Sequence, residues 1–294
     1  MLLFRTERIK PNCTDVNLYK RVAALPLNPS VLASDRLFIE EGLRAVLPHQ
    51  ATSVCWAMRY AVLGSGQRLR PLLTLRVARV LDGDWRRAVR AAMAVELVHC
   101  ASLIVDDLPC MDNDSVRRNR ASVHIEFGEA TAVLSAFALV SLAARSVADL
   151  ACFQMKLLAT LDCNSLIGGQ ALDLELSGEF RERERRRVTD LKTVPLFQLA
   201  VEAGLANAPS TTSEREALLD FGAQFGIAYQ MTDDYLDGEA ADFDRVAAQI
   251  DCARDSLQPL GRPAGHLESR PACHLEDMLD YLNAKVWETS RRHR

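Results

Sequence analysis

The sequence predicts an all-α protein, and three observations carry that expectation. Apolar residues recur at helical spacing, as in Leu32, Leu37, Phe38, Leu43, Val46 and Leu47. Segments 72–80, 94–105 and 130–150 are too dense in apolar residues for surface helices, so they read as buried spans of a bundle. Nowhere does the chain show a βαβ alternation or a run of β-branched strands.

Taken in order, residues 1–28 lack strong periodicity and carry Pro11, Pro26 and Asn28, so they read as an arm packed on the outside of one domain spanning 29–294 or on a partner. Ser30 caps a first helix that stops at Pro48. A second, from about 51 to 63, ends at Gly64-Ser65-Gly66, and Gln67-Arg68-Leu69-Arg70-Pro71 opens a third. A long apolar helix over 88–105 ends in acid, and Pro109 should turn the chain so that Asp112 comes back toward Asp106. The spacing then predicts helices over 130–150, over 152–168 continuing through 174, from 192 through 205, and from Glu214, capped by Ser213, into 237. The charge run 179–187 reads as a solvated loop or helix start. A helix over 245–260, a loop over 261–271 and an amphipathic helix over 274–287 complete the chain.

Composition excludes several classes of function. At 294 residues, 49% hydrophobic and 25% charged, the chain is of ordinary globular make-up, large enough for one big domain or two. A net charge of −4 gives no electrostatic footprint for nucleic acid. Eighteen-residue apolar runs and a signal peptide are not expected, so the chain reads as cytoplasmic, with no transmembrane segment. Eight cysteines without a CxxC pair sit mostly in apolar stretches and read as reduced core thiols. Lysine is confined to Lys10, Lys20, Lys156, Lys192 and Lys285, which leaves few candidates for any lysine chemistry.

Two acidic clusters carry the functional signal. Asp106-Asp107-Leu108-Pro109-Cys110-Met111-Asp112 follows directly on a buried-looking run. An unpaired buried carboxylate is too costly to keep ionised, so such a cluster is offset by arginines or by divalent metal. In Asp233-Asp234-Tyr235-Leu236-Asp237 the outer aspartates are four apart and share a helix face. Either cluster alone reads as a solvated helix end or a salt-bridge site. Together, as oxygen-only donors, they suit Mg²⁺, which binds a few carboxylates plus water and substrate phosphates.

With these motifs in order, residues 30–240 resemble the short-chain trans-prenyl diphosphate synthases, the farnesyl and geranylgeranyl diphosphate synthase family. The resemblance implies an isoprenoid synthase-type helical bundle around a central cavity, usually a homodimer, which joins an allylic diphosphate (dimethylallyl, geranyl or farnesyl) to isopentenyl diphosphate in isoprenoid biosynthesis. It implies that Asp106, Asp107 and Asp112 on one side, and Asp233, Asp234 and Asp237 on the other, hold Mg²⁺. Arg117, Lys192, Thr193 and Gln230 match residues that grip the allylic diphosphate. Arg70, His99 and Arg118 match the isopentenyl diphosphate pocket. Gly169-Gln170 and Asp173-Leu174 match a GQxxDL signature. Taken alone, His99 reads as a core histidine, and Arg117 and Arg118 as charge balance for the neighbouring aspartates.

The chain also departs from the family pattern. Gln67 stands where the family carries the lysine that grips isopentenyl diphosphate, Ala136-Phe137 replaces a Gly-Asp pair, and the lysine-bearing loop expected after Asp237 is missing. Three functions therefore compete: an active prenyltransferase, a catalytically impaired or regulatory partner subunit, and a class I terpene cyclase, against which the second Asp-rich motif speaks. Ala101 and Ser102, just before Asp106, are small where members that stop at fifteen carbons carry an aromatic, so geranylgeranyl diphosphate is the expected product. Phe127 and Phe137 are candidates for a deeper floor.

Overall fold

The computed structural model describes residues 31–176, 182–238, 242–260 and 273–292, so the proposed arm over 1–28 and the loop over 261–271 lie outside the described residues. The helices are α1 (Val31–Val46), α2 (Ser53–Val62), α3 (Leu69–Val80), α4 (Trp85–Asp106), α5 (Val123–Phe127), α6 (Glu129–Ser146), α7 (Ala151–Thr160), α8 (Leu166–Glu175), α9 (Glu182–Val188), α10 (Val194–Leu205), α11 (Thr212–Leu236), α12 (Phe243–Asp255) and α13 (Cys273–Arg292). A π-helical turn over Thr189–Thr193 joins α9 to α10, and a 3-10 turn, Gln258–Leu260, follows α12. The charge run thus contributes a short exposed helix, α9.

Helix α4 is the axis of the bundle. It packs against α3, α6 and α10, while α11 closes the far side against α10, α12 and α13. The density of apolar side chains explains the placement, since α3 and α10 bury nearly their whole circumference. Their crossing is close: Thr74 Oγ1 donates to the Ala200 carbonyl at 2.9 Å, and a Cβ at Gly204 would fall 2.7 Å from the Val77 side chain.

The structure corrects several expectations. The stretch 152–174 is two helices, broken at 161–165, where Asp162 Oδ1 accepts from the backbone and side chain of Asn164 in a local turn. The cap of α11 is Thr211 rather than Ser213, in a capping box in which Thr211 Oγ1 accepts from Glu214 N and the Glu214 side chain bonds the Thr211 N–H. The helix expected to run to 260 ends at Asp255. Among the described residues two helices are, by length and composition, apolar enough to cross a membrane, against expectation: Arg87–Asp106, mostly buried as the bundle axis, and Glu129–Ser146, mostly unburied. The described cysteines are free, but Cys100 alone is fully buried, while Cys110, Cys152, Cys163 and Cys252 are exposed.

A two-residue hairpin interrupts the helical pattern. Val116–Arg117 pairs with Arg120–Ala121, and Arg118 and Asn119 between them both have positive φ, 54° and 62°, as a type I′ turn requires. This hairpin follows the first acidic cluster, whose turn closes as Pro109 predicts: Asp112 N donates to the Asp106 carbonyl at 2.9 Å.

Replacing Thr211 with Ala removes the reciprocal cap of α11, and the unfolding free energy should fall by about 1 kcal/mol. Urea denaturation measures it, with an unchanged m-value expected because only a local cap is lost.

Candidate active site

A cavity of about 1170 Å³ opens between α3, α4, α6, α8, α10 and α11. One end is polar, built from Gln67, Arg70, His99, Arg117 and Arg118 with Asp106 and Asp112 from the first acidic cluster, and from Lys192, Thr193, Gln230 and Asp233 opposite. The other end is apolar, and Ala101 and Ser102 lie in its wall with Val133, Phe137 and Ile167. Of the two aromatic floor candidates, Phe137 lines the cavity, whereas Phe127 packs edge-on against Tyr60 at 5.3 Å.

The polar end is held by local structure on each side. Arg70 is buried over the Phe197 ring, 4.4 Å from its centroid, and its Nη1 lies 3.2 Å from His99 Nε2. Burial and the nearby cations, Arg70 first, hold His99 well below the usual histidine range. Arginine can only donate, so the neutral imidazole accepts through Nε2 and carries its proton on Nδ1, which is buried without a partner. Arg118 reaches the same end past Gly66, where a Cβ would fall 2.8 Å from the Arg118 Nη1.

The acidic residues divide by environment. Burial pushes the Asp106 carboxyl up to about 6, with Lys192 pulling it down and Asp112 adding repulsion. Asp107 is turned away from the cavity and taken by Arg117, whose Nε and Nη2 donate to one carboxylate oxygen at 2.8 and 2.6 Å. The same Nη2 donates to Asp114 at 2.8 Å. Across the cavity, burial raises the Asp233 carboxyl, while a hydrogen bond from Tyr229 and the ammonium of Lys285 draw it down. Asp234 accepts from Gln230 Nε2 at 2.9 Å, and Gln230 Oε1 in turn accepts from Thr193 at 2.9 Å. Asp237 is exposed at the end of α11, and neither it nor Asp234 lines the cavity. Lys192 Nζ donates to Asp173 at 2.7 Å.

Of the six candidate aspartates, Asp106, Asp112 and Asp233 are therefore the ones brought to one space, which Glu96, paired with Arg68, also lines. Among the described residues no three acidic, His or Cys side chains converge tightly enough to hold a metal by themselves. An ion that takes one or two carboxylates and completes its shell with water and phosphate oxygens fits this oxygen-only set; a protein-caged metal does not. Mg²⁺ meets that description.

Two residues of the site escaped the sequence. Arg68, at positive φ in the turn before α3, donates to Glu40, Glu96 and two backbone carbonyls, and so fixes the segment that carries Gln67 and Arg70. Its partners Glu40 and Glu96 lie 28 residues away on either side, and no local pattern links them. Lys285 comes from α13, which packs on α11, and only that packing brings it near Asp233.

Residues 52–245 match the family model described as polyprenyl synthetase. Geranylgeranyl pyrophosphate synthase 4 of Arabidopsis thaliana is 37% identical over 215 residues, 66% of this chain and 57% of that protein, so the chain spans under two thirds of that relative. Farnesyl diphosphate synthase of Geobacillus stearothermophilus is 30% identical over 240 residues, covering 78% of this chain and 76% of that one. Among solved structures, an apo FPP/GFPP synthase from Zymomonas mobilis superposes with a TM-score of 0.72 at 29% identity, over 92% of this chain and 98% of that one.

The raised Asp106 carboxyl has a measurable consequence. Its folded-state value lies above the unfolded one, so the stability it lends is present at low pH and lost as pH rises through about 6. In metal-free protein near neutral pH, Asp106→Asn should therefore be more stable than wild type by on the order of 2 kcal/mol. That advantage should shrink as pH falls below about 6. Urea unfolding of both proteins at about pH 7.5 and about pH 5 reads the difference; equal stability at both values would rule out an uncompensated carboxylate.

Proposed function

Since the chain belongs to the polyprenyl synthetase family, we propose that it is a Mg²⁺-dependent trans-prenyltransferase that condenses isopentenyl diphosphate with an allylic diphosphate and makes geranylgeranyl diphosphate. The observation that carries this reading is the two-ended cavity, cationic and acidic at one end and apolar at the other. Such a cavity suits a molecule with a diphosphate head and a hydrocarbon tail.

Asp106, Asp112 and Asp233 would hold the metal, with Asp107, Asp234 and Asp237 behind them, and Mg²⁺ supplies charge neutralisation for the departing diphosphate. Lys192, Thr193, Gln230 and Arg117 orient the allylic diphosphate, while Arg70, His99 and Arg118 bind the isopentenyl diphosphate. The donors are preorganised by Asp173, Asp107 and the Phe197 ring, so little reorganisation is needed as anionic charge builds on the leaving oxygens. A homodimer is part of the same reading: α6 exposes Val133, Leu134 and Phe137, an apolar area of the kind that protein interfaces cover.

A second reading, an impaired or regulatory subunit, draws on Gln67, whose Oε1 is buried without a partner where the family has a lysine. Assay of the purified chain alone with isopentenyl diphosphate and each allylic starter separates the two, since a dependent subunit is inert by itself.

Two substitutions test the substrate assignments. Ala101 is 3% exposed in the cavity wall, so Ala101→Phe fills space that a further isoprene unit needs, and the main product should shorten to farnesyl diphosphate by chromatography of the chains formed. Gln67→Lys should lower the KM for isopentenyl diphosphate about tenfold and leave that for the allylic substrate nearly unchanged, as one charge-assisted contact is restored.

A further inference from the structure

Gln170, in α8, is 9% exposed, and neither its amide oxygen nor its amide nitrogen has a hydrogen-bond partner. A buried amide left unpaired destabilises the fold, so its retention calls for an explanation outside the protein's own contacts. Gln170 lines the cavity, and although both amide atoms are closed to water there, a turn of the side chain brings them to whatever fills that space. Its neighbours fix its level. Gly169 lies so close to the π turn that a Cβ there would be 2.6 Å from the Lys192 backbone nitrogen, and Asp173, one turn on, takes Lys192 Nζ at 2.7 Å. Leu166 and Leu174, a turn to either side, line the apolar part. Gln170 thus stands between the Lys192 side of the cavity and its apolar part.

We propose that the side-chain carbonyl of Gln170 faces the allylic carbon and stabilises the positive charge that develops there as the diphosphate departs. The proposal rests on the prenyltransferase reading above. In the step concerned the C–O bond breaks and its electron pair leaves with the diphosphate oxygen. The isopentenyl double bond then supplies the pair for the new C–C bond, and the proton lost goes to the released diphosphate. The amide forms no bond and carries no proton. A neutral dipole suits this position, because a carboxylate here would repel the diphosphate and trap the cation as an ester, and an alkyl group would offer no dipole. Because no internal hydrogen bond dictates which way the amide faces, the ligand's charge orients it.

The test is Gln170→Leu in the full chain with Mg²⁺, against geranyl diphosphate and its 2-fluoro analogue, whose electron-withdrawing fluorine slows any step through the cation. The expected result is a kcat at least tenfold lower, KM values within about twofold of wild type, and a larger ratio of geranyl to fluorogeranyl rates. The melting temperature should be equal or higher, since the orphaned amide is gone. An unchanged kcat would overturn the proposal, as would a rise in KM alone, or a slower variant that melts lower with the same fluorine ratio, the mark of a structural role. Wild type inert toward all allylic diphosphates would remove the function and this proposal with it; active wild type beside an unaffected variant removes only the proposal.

Discussion

Arg68 is fully buried, and its guanidinium donates to Glu40 at 2.7 Å, Glu96 at 2.6 Å and the carbonyls of Val62 and Gly64 at 2.7 and 2.9 Å. A cation so far from water persists only when it is fully paired, and breaking one partner leaves an uncompensated charge inside the bundle. The pairing therefore locks four pieces together: α1 through Glu40, α4 through Glu96, the end of α2 and the start of α3. With α3 and α4 fixed against each other, Arg70 and His99 meet, and the first acidic cluster is presented at the end of α4. Two carbonyls at the end of α2 and a left-handed residue make the turn tight enough for this; the polar end of the cavity inherits its geometry from it.

A second constraint, carboxylates facing one another across a cavity, then sorts the charges. Where a carboxylate has a resident cation, as Asp107 has in Arg117, it is turned away from the open space. Where it has none bonded to it, as with Asp106, burial raises its proton affinity and the site is poised for an external cation. The facing cluster on α11 is held through Gln230 and Thr193, with Lys285 as a more distant counter-charge. The site is thus incomplete by electrostatics while complete by packing.

Much of this was legible in the chain. The dense apolar runs named the buried helices, and each acidic cluster marked its side of the cavity, although Asp107, Asp234 and Asp237 do not line it. The Pro109 turn was readable because proline acts locally. The break at 161–165 left a signal in Asp162, Asn164 and Ser165, turn formers that the continuous apolar pattern around them outweighed. Thr211 and Glu214 spell a capping box, but Thr212 and Ser213 beside them are equally good caps in isolation. Residues whose role arises only by packing left no local trace: the ion pair from Lys192 to Asp173, the approach of Lys285 and the buried ring under Arg70. The reversal at Arg118-Asn119 lacks the glycine that usually marks such turns, so only Asn119 hinted at it.

The π turn at Thr189–Thr193 separates two helices that are nearly continuous. Such a turn is equivalent to one inserted residue, which offsets the angular phase of the helix by about 100° between its two sides. α9 can therefore leave much of its charged run in solvent, while α10 buries its apolar face from Val194 onward, and Lys192 and Thr193 fall in the offset itself. Their direction is set by residue count rather than by side-chain identity. Loss of a single residue from this segment would restore ordinary helical winding and swing Lys192 away from Asp173, leaving every named side chain present and the constellation gone.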